Sequence, residues 1–330
     1  MLDWLSRRLG RRVAAARRYG TGQSNPTWRL DAAGGPLVLR AKPPGRLLPK
    51  AHAIEREFRV LEALRETDVP VPAPLFLEDG ETPLGRAFYV MAHVDGRIFW
   101  DPTLPEVDAS GRGAIYDAMN ATLAALHRVD PAAVGLSDYG RPDGYFARQA
   151  ATWSRQYAAS VDRPDPAMAR IADWLADRRP APAPARLVHG DFRLDNMIFH
   201  PSEPRVLALL DWELSTLGHP LADLAYQIMQ WHLPHDSALK GLGGIDRAAA
   251  GLPEDADHVA AYARRLGIEP PPLRDWLVLA AFRLAAILAG VGARAAAGNA
   301  ANPEQGRRYG ALVPVVAGLG VGWIEDGAPV

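Results

Sequence analysis

The chain of 330 residues contains 37 lysine and arginine residues against 38 aspartate and glutamate residues, a balance that disfavours nucleic acid or an anionic membrane as a partner. It contains no cysteine, which excludes disulfides and thiolate metal sites and leads us to expect a cytoplasmic protein. Its hydrophobic content of 48% is ordinary for a soluble globular protein, and no apolar run reaches the ~18 uncharged residues of a membrane span.

The N-terminal segment predicts an amphipathic helix. Leu2, Leu5, Leu9 and Val13 recur at helical spacing in a segment that is rich in arginine and poor in acidic residues. Such a segment can be mistaken for a targeting peptide, but it lacks the continuous apolar run of a secretory signal. An amphipathic first helix is therefore the preferred interpretation.

The next two segments are a polar turn and a strand with two basic residues. Residues 19–26, YGTGQSNP, form a glycine-rich turn whose backbone N–H groups could face phosphates, although a simple hairpin turn is the commoner meaning. Residues 37–42, LVLRAK, predict a strand with Arg40 and Lys42 on one face. Taken alone, either basic residue could equally be a solvated charge on an edge strand.

Residues 52–65 predict a helix with a carboxylate on its apolar face. At about 100° per residue, Glu57 falls within the arc formed by Ile54, Phe58 and Leu61. A carboxylate on a buried face requires a partner. The alternative is a position at the rim of this face, with the carboxylate in water.

The region after residue 95 is predicted to be mostly helical. Residues 115–126 carry apolar side chains at helical spacing, and His127 after them is interpreted as a helix cap or a core residue. Residues 135–153 are polar and aromatic, and they could either line a pocket or pack under a loop. Residues 276–297 predict an apolar helix whose two glycines indicate close contact with another helix or a bend.

The central stretch, residues 187–213, concentrates polar side chains at the ends of short apolar runs. Its sequence, LVHGDFRLDNMIFHPSEPRVLALLDWE, predicts strand, polar loop, strand, turn and strand. Asp191 and Asn196 are five residues apart, and Asp211 follows Asp191 by twenty residues. Short buried strands that hold polar groups in a loop are a common way to build a functional site.

This spacing of two carboxylates and one amide is typical of phosphoryl transfer. One carboxylate orients a substrate hydroxyl and receives its proton, while the amide and the other carboxylate provide hard oxygen ligands for Mg²⁺. The set predicts Asp191 as the catalytic residue and Asn196 and Asp211 as magnesium ligands. For each residue taken alone, capping or turn formation is the alternative.

The motifs of the chain resemble a known family. HGDFRLDN followed by LLDWE looks like the aminoglycoside phosphotransferase (APH) and choline kinase superfamily, a branch of the protein-kinase-like fold. GQSNPTWRL, VLRAKPPG, IEREFRVLEAL and LLDWELSTLGHPLADLAY resemble, more closely, the APH-like kinase domain associated with acyl-CoA dehydrogenases. The resemblance covers about residues 19–308. It implies an α+β, bilobed fold with a small β-rich N-lobe, residues 1–94, and a larger, mostly helical C-lobe, residues 95–330.

The resemblance also implies ATP and Mg²⁺ as cofactors and assigns roles to further residues. The positions that it implies for nucleotide binding are the phosphate loop Gly22, Gln23, Ser24 and Asn25, the basic residue Arg40 with its helix partner Glu57, and the adenine hinge Met91, Ala92, His93 and Val94. Lys42 is the rival of Arg40. His189 and Asp223 are implied to support the catalytic loop.

The acceptor is predicted to be a small molecule with a hydroxyl group. Between residues 264 and 308, seven arginines (264, 265, 274, 283, 294, 307 and 308) stand against three acidic residues, which disfavours a polycationic aminoglycoside and tolerates an anionic acceptor. The resemblance to dehydrogenase-associated kinase domains points to a hydroxyacyl-CoA or another anionic hydroxy compound. It also implies a functional link to an acyl-CoA dehydrogenase.

Three alternatives stay open at this stage. The protein could be a kinase of aminoglycosides or of other small molecules, or it could be a catalytically silent, pseudokinase-like module that binds nucleotide. It could also be a metal-dependent hydrolase that uses His189, Asp191 and Asp211. The hydrolase would need further ligands at fixed spacing, and the histidines at 219, 232 and 235 do not provide it.

Overall fold

The computed structural model describes residues 1–20, 25–44, 53–80, 82–299 and 302–330. The helices in these ranges are α1 Leu2–Leu9, α2 Ile54–Leu64, α3 Ala109–Arg128, α4 Tyr145–Ala158, α5 Pro166–Ala176, α6 Leu221–Trp231, α7 Arg247–Ala250, α8 Asp255–Leu266, α9 Arg274–Ala296, α10 Pro303–Gly310 and α11 Val313–Glu325. The strands are β1 Val13–Arg18, β2 Thr27–Ala32, β3 Leu37–Ala41, β4 Pro74–Glu78, β5 Phe88–Ala92, β6 Arg186–Val188, β7 Met197–Phe199, β8 Val206–Leu209 and β9 Thr216–Gly218.

The chain forms two compact units, and the whole is an α+β protein with a small antiparallel sheet and a larger helical portion. Unit 1 comprises Met1–Ile98, Ala132–Ser137 and Asp195–Ser215, and unit 2 comprises Phe99–Pro131, Asp138–Leu194 and Thr216–Val330. The lobe boundary predicted after Val94 stays a prediction, since the compact units divide the chain differently. The chain passes from unit 2 to unit 1 inside the polar loop itself, between Leu194 and Asp195.

Unit 1 is built on a five-stranded antiparallel sheet. The strand order is β1-β2-β3-β5-β4, and Leu5 of α1 packs with Val13, Leu30 and Leu39 in its core. The prediction that Val13 belongs to the first helix is wrong. The helix ends at Leu9 because Gly10 adopts the left-handed conformation, and Val13 reaches the same core as the first residue of β1.

The helix predicted from residue 52 begins at Ile54 in the structure, and His52 lies outside the described residues. Glu57 is buried with Ile54, Phe58 and Leu61, whereas Glu62 is exposed. The helical-wheel prediction for Glu57 is therefore confirmed. Its carboxylate is brought into the interior of unit 1 by the apolar face that surrounds it.

The hairpin of β7 and β8 joins unit 1 through backbone contacts. Arg97 forms a bridge with Phe199, and the Leu209 N–H donates to the Pro70 carbonyl at 2.8 Å. Gly96 makes this approach possible because a Cβ there would lie 2.2 Å from the Phe199 carbonyl oxygen. These contacts fix the strands that precede and follow the residues from Asn196 to Asp211.

Unit 2 is organised around α9. This helix contacts α4, α5, α6, α10 and α11. It is long and apolar enough to cross a membrane by length and composition, but 67% of its apolar window is buried among those neighbours, which is typical of a core helix. Gly292 lies against Gly310, where a Cβ would come within 3.0 Å of the facing Cα, so the close helix contact predicted from its glycines is confirmed.

Candidate active site

Arg40 in unit 1 is a largely buried cation shared by two carboxylates. Its Nε lies 2.8 Å from Glu57 Oε2, and its Nη2 donates a hydrogen bond of 2.6 Å to Asp211 Oδ1. The Nε–H is not aligned with Glu57, so that contact is an ion pair without a hydrogen bond. Although burial opposes its charge, the carboxylates of Glu57 and Asp211 raise the pKa of Arg40. The predicted pairing of Arg40 with Glu57 is confirmed.

Glu57 is held by neutral donors as well as by Arg40. The Asn25 side-chain amide donates to Glu57 Oε1 at 2.6 Å, and the Tyr89 hydroxyl donates to Oε2 at 3.1 Å. Burial raises the pKa of Glu57, and Arg40 opposes that shift. Asn25 was predicted to cover phosphates, and the structure shows its side-chain amide turned to Glu57. Gly22, Gln23 and Ser24, the rest of the predicted loop, lie outside the described residues.

Lys42, the rival basic residue, has a different partner. Its ammonium pairs with Glu55, the less buried glutamate of the first turn of α2. The two basic residues of β3 thus pair with two glutamates of α2 that are two residues apart. Of these two pairs, only that of Arg40 includes Asp211, and the phosphate-binding role of Arg40 stays a prediction.

Asp211 and Asn196 lie at the two ends of the β7–β8 hairpin. Asp211 has a φ of 65°, a left-handed conformation that is uncommon for a residue other than glycine. The Leu210 N–H beside it donates to the Asn196 carbonyl at 2.8 Å. Buried Trp212 follows, with its indole N–H donating to the Leu209 carbonyl at 3.1 Å. The turn therefore holds the Asp211 carboxylate towards Arg40 by backbone conformation.

The oxygen donors of Asp211 and Asn196 fit a magnesium ion that arrives with a nucleotide. Mg²⁺ is usually held by one or two protein carboxylates, together with water and substrate phosphates. Within the residues that the structure describes, no cluster of three or more His, Cys, Asp or Glu side chains could hold a metal ion without such help. Asp211 has a left-handed backbone conformation and accepts a hydrogen bond from a cation, Arg40.

The loop that carries Asp191 belongs to unit 2 and is fixed through its backbone. Buried Asp223 of α6 accepts the N–H groups of His189 and Gly190, at 2.7 and 2.8 Å. The Asp191 N–H donates to His189 Nδ1 at 3.2 Å. Burial opposes the Asp223 charge, but His127 and the backbone donor of Gly190 lower the pKa of Asp223. His189 and Asp223 thus have the geometry predicted for supporting residues.

Behind Asp223 lies a buried chain of polar groups that sequence reasoning did not connect. His127 Nε2 lies 3.4 Å from Asp223 Oδ2, and His127 Nδ1 lies 2.7 Å from the Tyr262 hydroxyl. The prediction of His127 as a cap or core residue is correct for the core. Its partners were missed because they lie on α6 and α8, far away in the sequence.

A second group missed by sequence reasoning holds the other side of the loop. Arg283 of α9 donates to the Gly190 carbonyl, and its guanidinium carbon lies 5.5 Å from the Trp153 ring centroid and 5.2 Å from the Tyr226 ring centroid. Trp153 belongs to residues 135–153, the aromatic segment for which the sequence allows either a pocket lining or packing under a loop. No short-range signal could have found this contact, since Arg283 follows Gly190 by 93 residues.

The hinge residues predicted to bind adenine follow the last strand of the sheet. Met91 and Ala92 end β5, and Ala92 donates its N–H to the Ala73 carbonyl at 2.8 Å. His93 lies between Arg29 and Asp95, each at 3.3 Å, and Val94 is half-buried. The adenine contacts of these four residues stay a prediction.

Unit 1 thus offers a buried cation with two acidic partners, and unit 2 offers an aspartate in a braced loop. These are the parts of a kinase-like phosphotransferase. A sequence model of the phosphotransferase enzyme family (APH) matches residues 15–276, and the chain belongs to this family. A crystal structure from Ralstonia eutropha JMP134 is 40% identical, with a TM-score of 0.87 and coverage of 98% of this chain and 97% of that chain. Its assignment as an aminoglycoside phosphotransferase is itself provisional.

Two curated relatives are much longer than this chain. Acyl-CoA dehydrogenase family member 10 of Mus musculus is 45% identical over 288 residues, which are 86% of this chain and 27% of the relative. Acyl-CoA dehydrogenase family member 11 of Gallus gallus is 45% identical over 312 residues, which are 93% of this chain and 40% of the relative. The resemblance inferred from the motifs is confirmed by these matches.

A more distant solved structure shares the fold alone. An aminoglycoside phosphotransferase in a ternary complex with AMP-PNP and hygromycin B is 16% identical, with a TM-score of 0.61 and coverage of 97% of this chain and 98% of that chain. Its kinase-like architecture agrees with the α+β arrangement of this chain, so the predicted fold class is confirmed.

Proposed function

We propose that this protein transfers the γ-phosphoryl group of ATP, bound as its Mg²⁺ complex, to a hydroxyl group of a small molecule. The observation that carries the proposal is the arrangement of Arg40, which is largely buried in unit 1 and contacts both Glu57 and Asp211. A guanidinium fixed in this way can bind nucleotide phosphates without first losing side-chain freedom. Its neighbour Asp211 provides the acidic oxygen that Mg²⁺ prefers.

Each residue of the proposed site has one task. Asn196 and Asp211 would hold Mg²⁺, which when bound neutralises charge on the phosphates. Arg40, fixed by Glu57, would hold phosphate oxygens. Asp191 would orient the acceptor hydroxyl and take its proton on a carboxylate oxygen. Catalysis would then rest mainly on positioning and on electrostatic stabilisation.

We propose an anionic hydroxy compound, with a hydroxyacyl-CoA as the leading candidate, as the acceptor. The support is the identity of 45% to two acyl-CoA dehydrogenase family members, of which this chain matches only a part. The arginine excess gives less support than the sequence suggested. Arg265 pairs with Asp117, and Arg274 donates to the carbonyl of Trp323, so these two charges are already engaged. A functional link to an acyl-CoA dehydrogenase belongs to the same proposal.

An aminoglycoside acceptor is the second candidate. It is favoured by the provisional name of the Ralstonia eutropha protein, which is 40% identical to this chain. The two acceptors differ in the sign of their charge, so one set of assays can distinguish them.

The test is the release of ADP from Mg·ATP across a panel of acceptors. The panel contains 3- and 4-hydroxyacyl-CoAs, free hydroxy acids, choline, sugars and aminoglycosides. Wild type is measured beside Asp191→Asn, which removes the proposed proton acceptor, and beside Asp162→Asn, the same change at an exposed position. We expect acceptor-dependent turnover that Asp191→Asn lowers by about 10²- to 10⁴-fold and Asp162→Asn leaves unchanged.

The outcomes separate the parts of the proposal. Turnover with aminoglycosides alone would overturn the acceptor class and leave the chemistry intact. Nucleotide binding without turnover on any acceptor would favour a catalytically silent module. Failure to bind Mg·ATP would refute the proposed function as a whole.

A further inference from the structure

Side chains hold several backbone groups around Gly190. The N–H groups of His189 and Gly190 are held by Asp223, and that of Asp191 is held by His189. The carbonyl of Gly190 also has a side-chain partner, because Arg283 donates a hydrogen bond to it. Gly190 has a φ of 84°, so the loop takes a conformation that its neighbours must maintain.

Arg283 occupies an unusual position for a cation. It lies within the long apolar helix α9, and its guanidinium donates to a backbone carbonyl. Its guanidinium is placed between the rings of Trp153 and Tyr226, at 5.5 and 5.2 Å from their centroids. Arg283 is half-buried, and its Nε is enclosed without a hydrogen-bond partner, so this placement is costly unless the cation has a role.

The space beside Arg283 is too small for an acceptor. The cavity that it lines with Tyr145, Gln149 and Trp276 has a volume of about 20 Å³, which is room for about one water molecule. Arg283 therefore does not line a ready pocket for a substrate group in this structure. Its hydrogen bond is to the carbonyl of Gly190, the residue before Asp191.

We call the rings of Trp153 and Tyr226 around Arg283 the Trp153–Tyr226 cage, and Tyr226 is also close to the loop. Burial and the neighbouring Asp191 carboxylate raise the pKa of the Tyr226 phenol. Tyr226 is on α6 with Asp223, three residues further along the same face of the helix. Helix α6 thus contacts the backbone of the loop through Asp223 and lies close to the Asp191 carboxylate through Tyr226. Arg283 contacts both Gly190 and Tyr226.

We propose that Arg283 is a positioning residue for phosphoryl transfer. It acts through the Gly190 carbonyl and the Trp153–Tyr226 cage to set the orientation of Asp191. This inference rests on the proposed function, because it assigns Arg283 to the residue that would receive the acceptor proton. It goes further by placing a determinant of catalysis on α9, far in sequence from the polar loop.

The experiment compares three variants with wild type. Arg283→Met removes the charge and the hydrogen bond at similar length. Arg283→Lys keeps the charge but has no planar group to place between the two rings. Arg294→Met is the matched control, since it makes the same change at an exposed arginine of the same helix.

The first measurement does not depend on catalysis. Amide hydrogen exchange is followed by mass spectrometry in peptides that cover residues 187–194, α6 and α9. We expect Arg283→Met to speed exchange in 187–194 by about 10-fold, with α6 and α9 nearly unchanged. Arg283→Lys should give a smaller increase and should decide the question if the methionine variant does not fold. Arg294→Met should match wild type.

The second measurement is steady-state kinetics with the best acceptor of the panel. Arg283→Met should lower kcat on the order of 10- to 100-fold and leave KM for ATP unchanged, since small misplacement of a reacting group has effects of this size. Arg283→Lys should recover part of the loss.

Two results would overturn the inference. One is exchange in 187–194 that matches wild type in Arg283→Met. The other is acceleration that is equal in 187–194, α6 and α9, which would indicate general destabilisation. If wild type phosphorylates no acceptor, the proposed function fails, yet the exchange measurement still decides whether Arg283 holds the loop.

Discussion

The two polar clusters of this protein are stabilised in different ways. In unit 1, Arg40 is shared between the carboxylates of Glu57 and Asp211, and the contacts join opposite full charges. In unit 2, Asp223 accepts two backbone N–H groups, with His127 and Tyr262 behind it. The first cluster joins charged side chains, and the second joins side chains to the backbone.

This difference teaches what each cluster can do. In such a cluster the guanidinium can exchange a carboxylate for a phosphate group, and the released carboxylate can bind a metal ion. A carboxylate that satisfies buried backbone groups cannot exchange its partners without leaving N–H groups unpaired. We expect changes in unit 1 to affect ligand binding first, and changes in unit 2 to affect stability first.

The largest effect is expected for Asp223→Ala. The substitution leaves two buried N–H groups and His127 without their acceptor, and should lower the free energy of unfolding by about 3–5 kcal/mol. Urea denaturation measures it. Asp236→Ala, at an exposed position, is the control and should change the value by less than about 0.5 kcal/mol. A loss below about 1 kcal/mol for Asp223→Ala would remove the contrast between the clusters.

The next effect concerns ligand linkage in unit 1. Mg·ATP at 100 times its Kd should stabilise wild type by about 2.7 kcal/mol, and omission of Mg²⁺ should remove most of this gain. Asp211→Asn should lose the dependence on Mg²⁺, because an amide replaces the proposed ligand carboxylate. Thermal unfolding with and without Mg²⁺ measures both, with Glu203→Gln as an exposed control in the same unit. A variant that keeps the Mg²⁺ dependence would contradict the assignment of Asp211.

Arg40→Lys tests whether the shape of the cation matters. Lysine keeps the charge but cannot direct separate nitrogens to Glu57 and Asp211, so the affinity for Mg·ATP should fall by about 10-fold. Isothermal titration measures the affinity. Lys42→Arg, the reverse exchange at the neighbouring basic residue, should change it little. A larger loss of affinity in Lys42→Arg than in Arg40→Lys would indicate that Lys42 is the phosphate-binding residue.

The smallest effect is a pH dependence in unit 2. Burial lowers the pKa of His258 to about 3, so the unfolded chain takes up a proton below its ordinary value of 6.5, and the folded chain does not. Stability should therefore fall by about 1 kcal/mol from this residue as the pH is lowered from 6.5 to 5.5. His258→Gln should reduce that slope. The free energy of unfolding is measured at several pH values. An unchanged pH dependence in His258→Gln would contradict the contribution assigned to His258.

Local patterns predicted much of unit 1. The position of Glu57 within an apolar arc was enough to place it in the interior, because burial follows helical periodicity. The same rule failed for Val13, because Gly10 ends the helix before that residue while the spacing continues by chance. Periodicity alone cannot distinguish a helix residue from a strand residue that reaches the same core.

The bracing of unit 2 could not be predicted in the same way. Asp191, Asn196 and Asp211 are close enough in sequence to form a motif, and Asp223 follows in the next helix. His127 and Tyr262 lie behind Asp223, and Arg283 contacts the loop from α9; nothing near these residues in the sequence identifies their partners. Their contacts depend on helix packing, which is a property of the folded unit.

The membership of the β7–β8 hairpin in unit 1 has a consequence for synthesis of the protein. The segment 1–98 leaves the ribosome first, but Asp195–Ser215 completes its unit only after all the intervening residues have been translated. At about 5–20 residues per second, that delay lasts several seconds. During this time the Pro70 carbonyl and Arg97 lack their partners in the hairpin. The folding of unit 1 therefore cannot be completed until residues 195–215 have been synthesised.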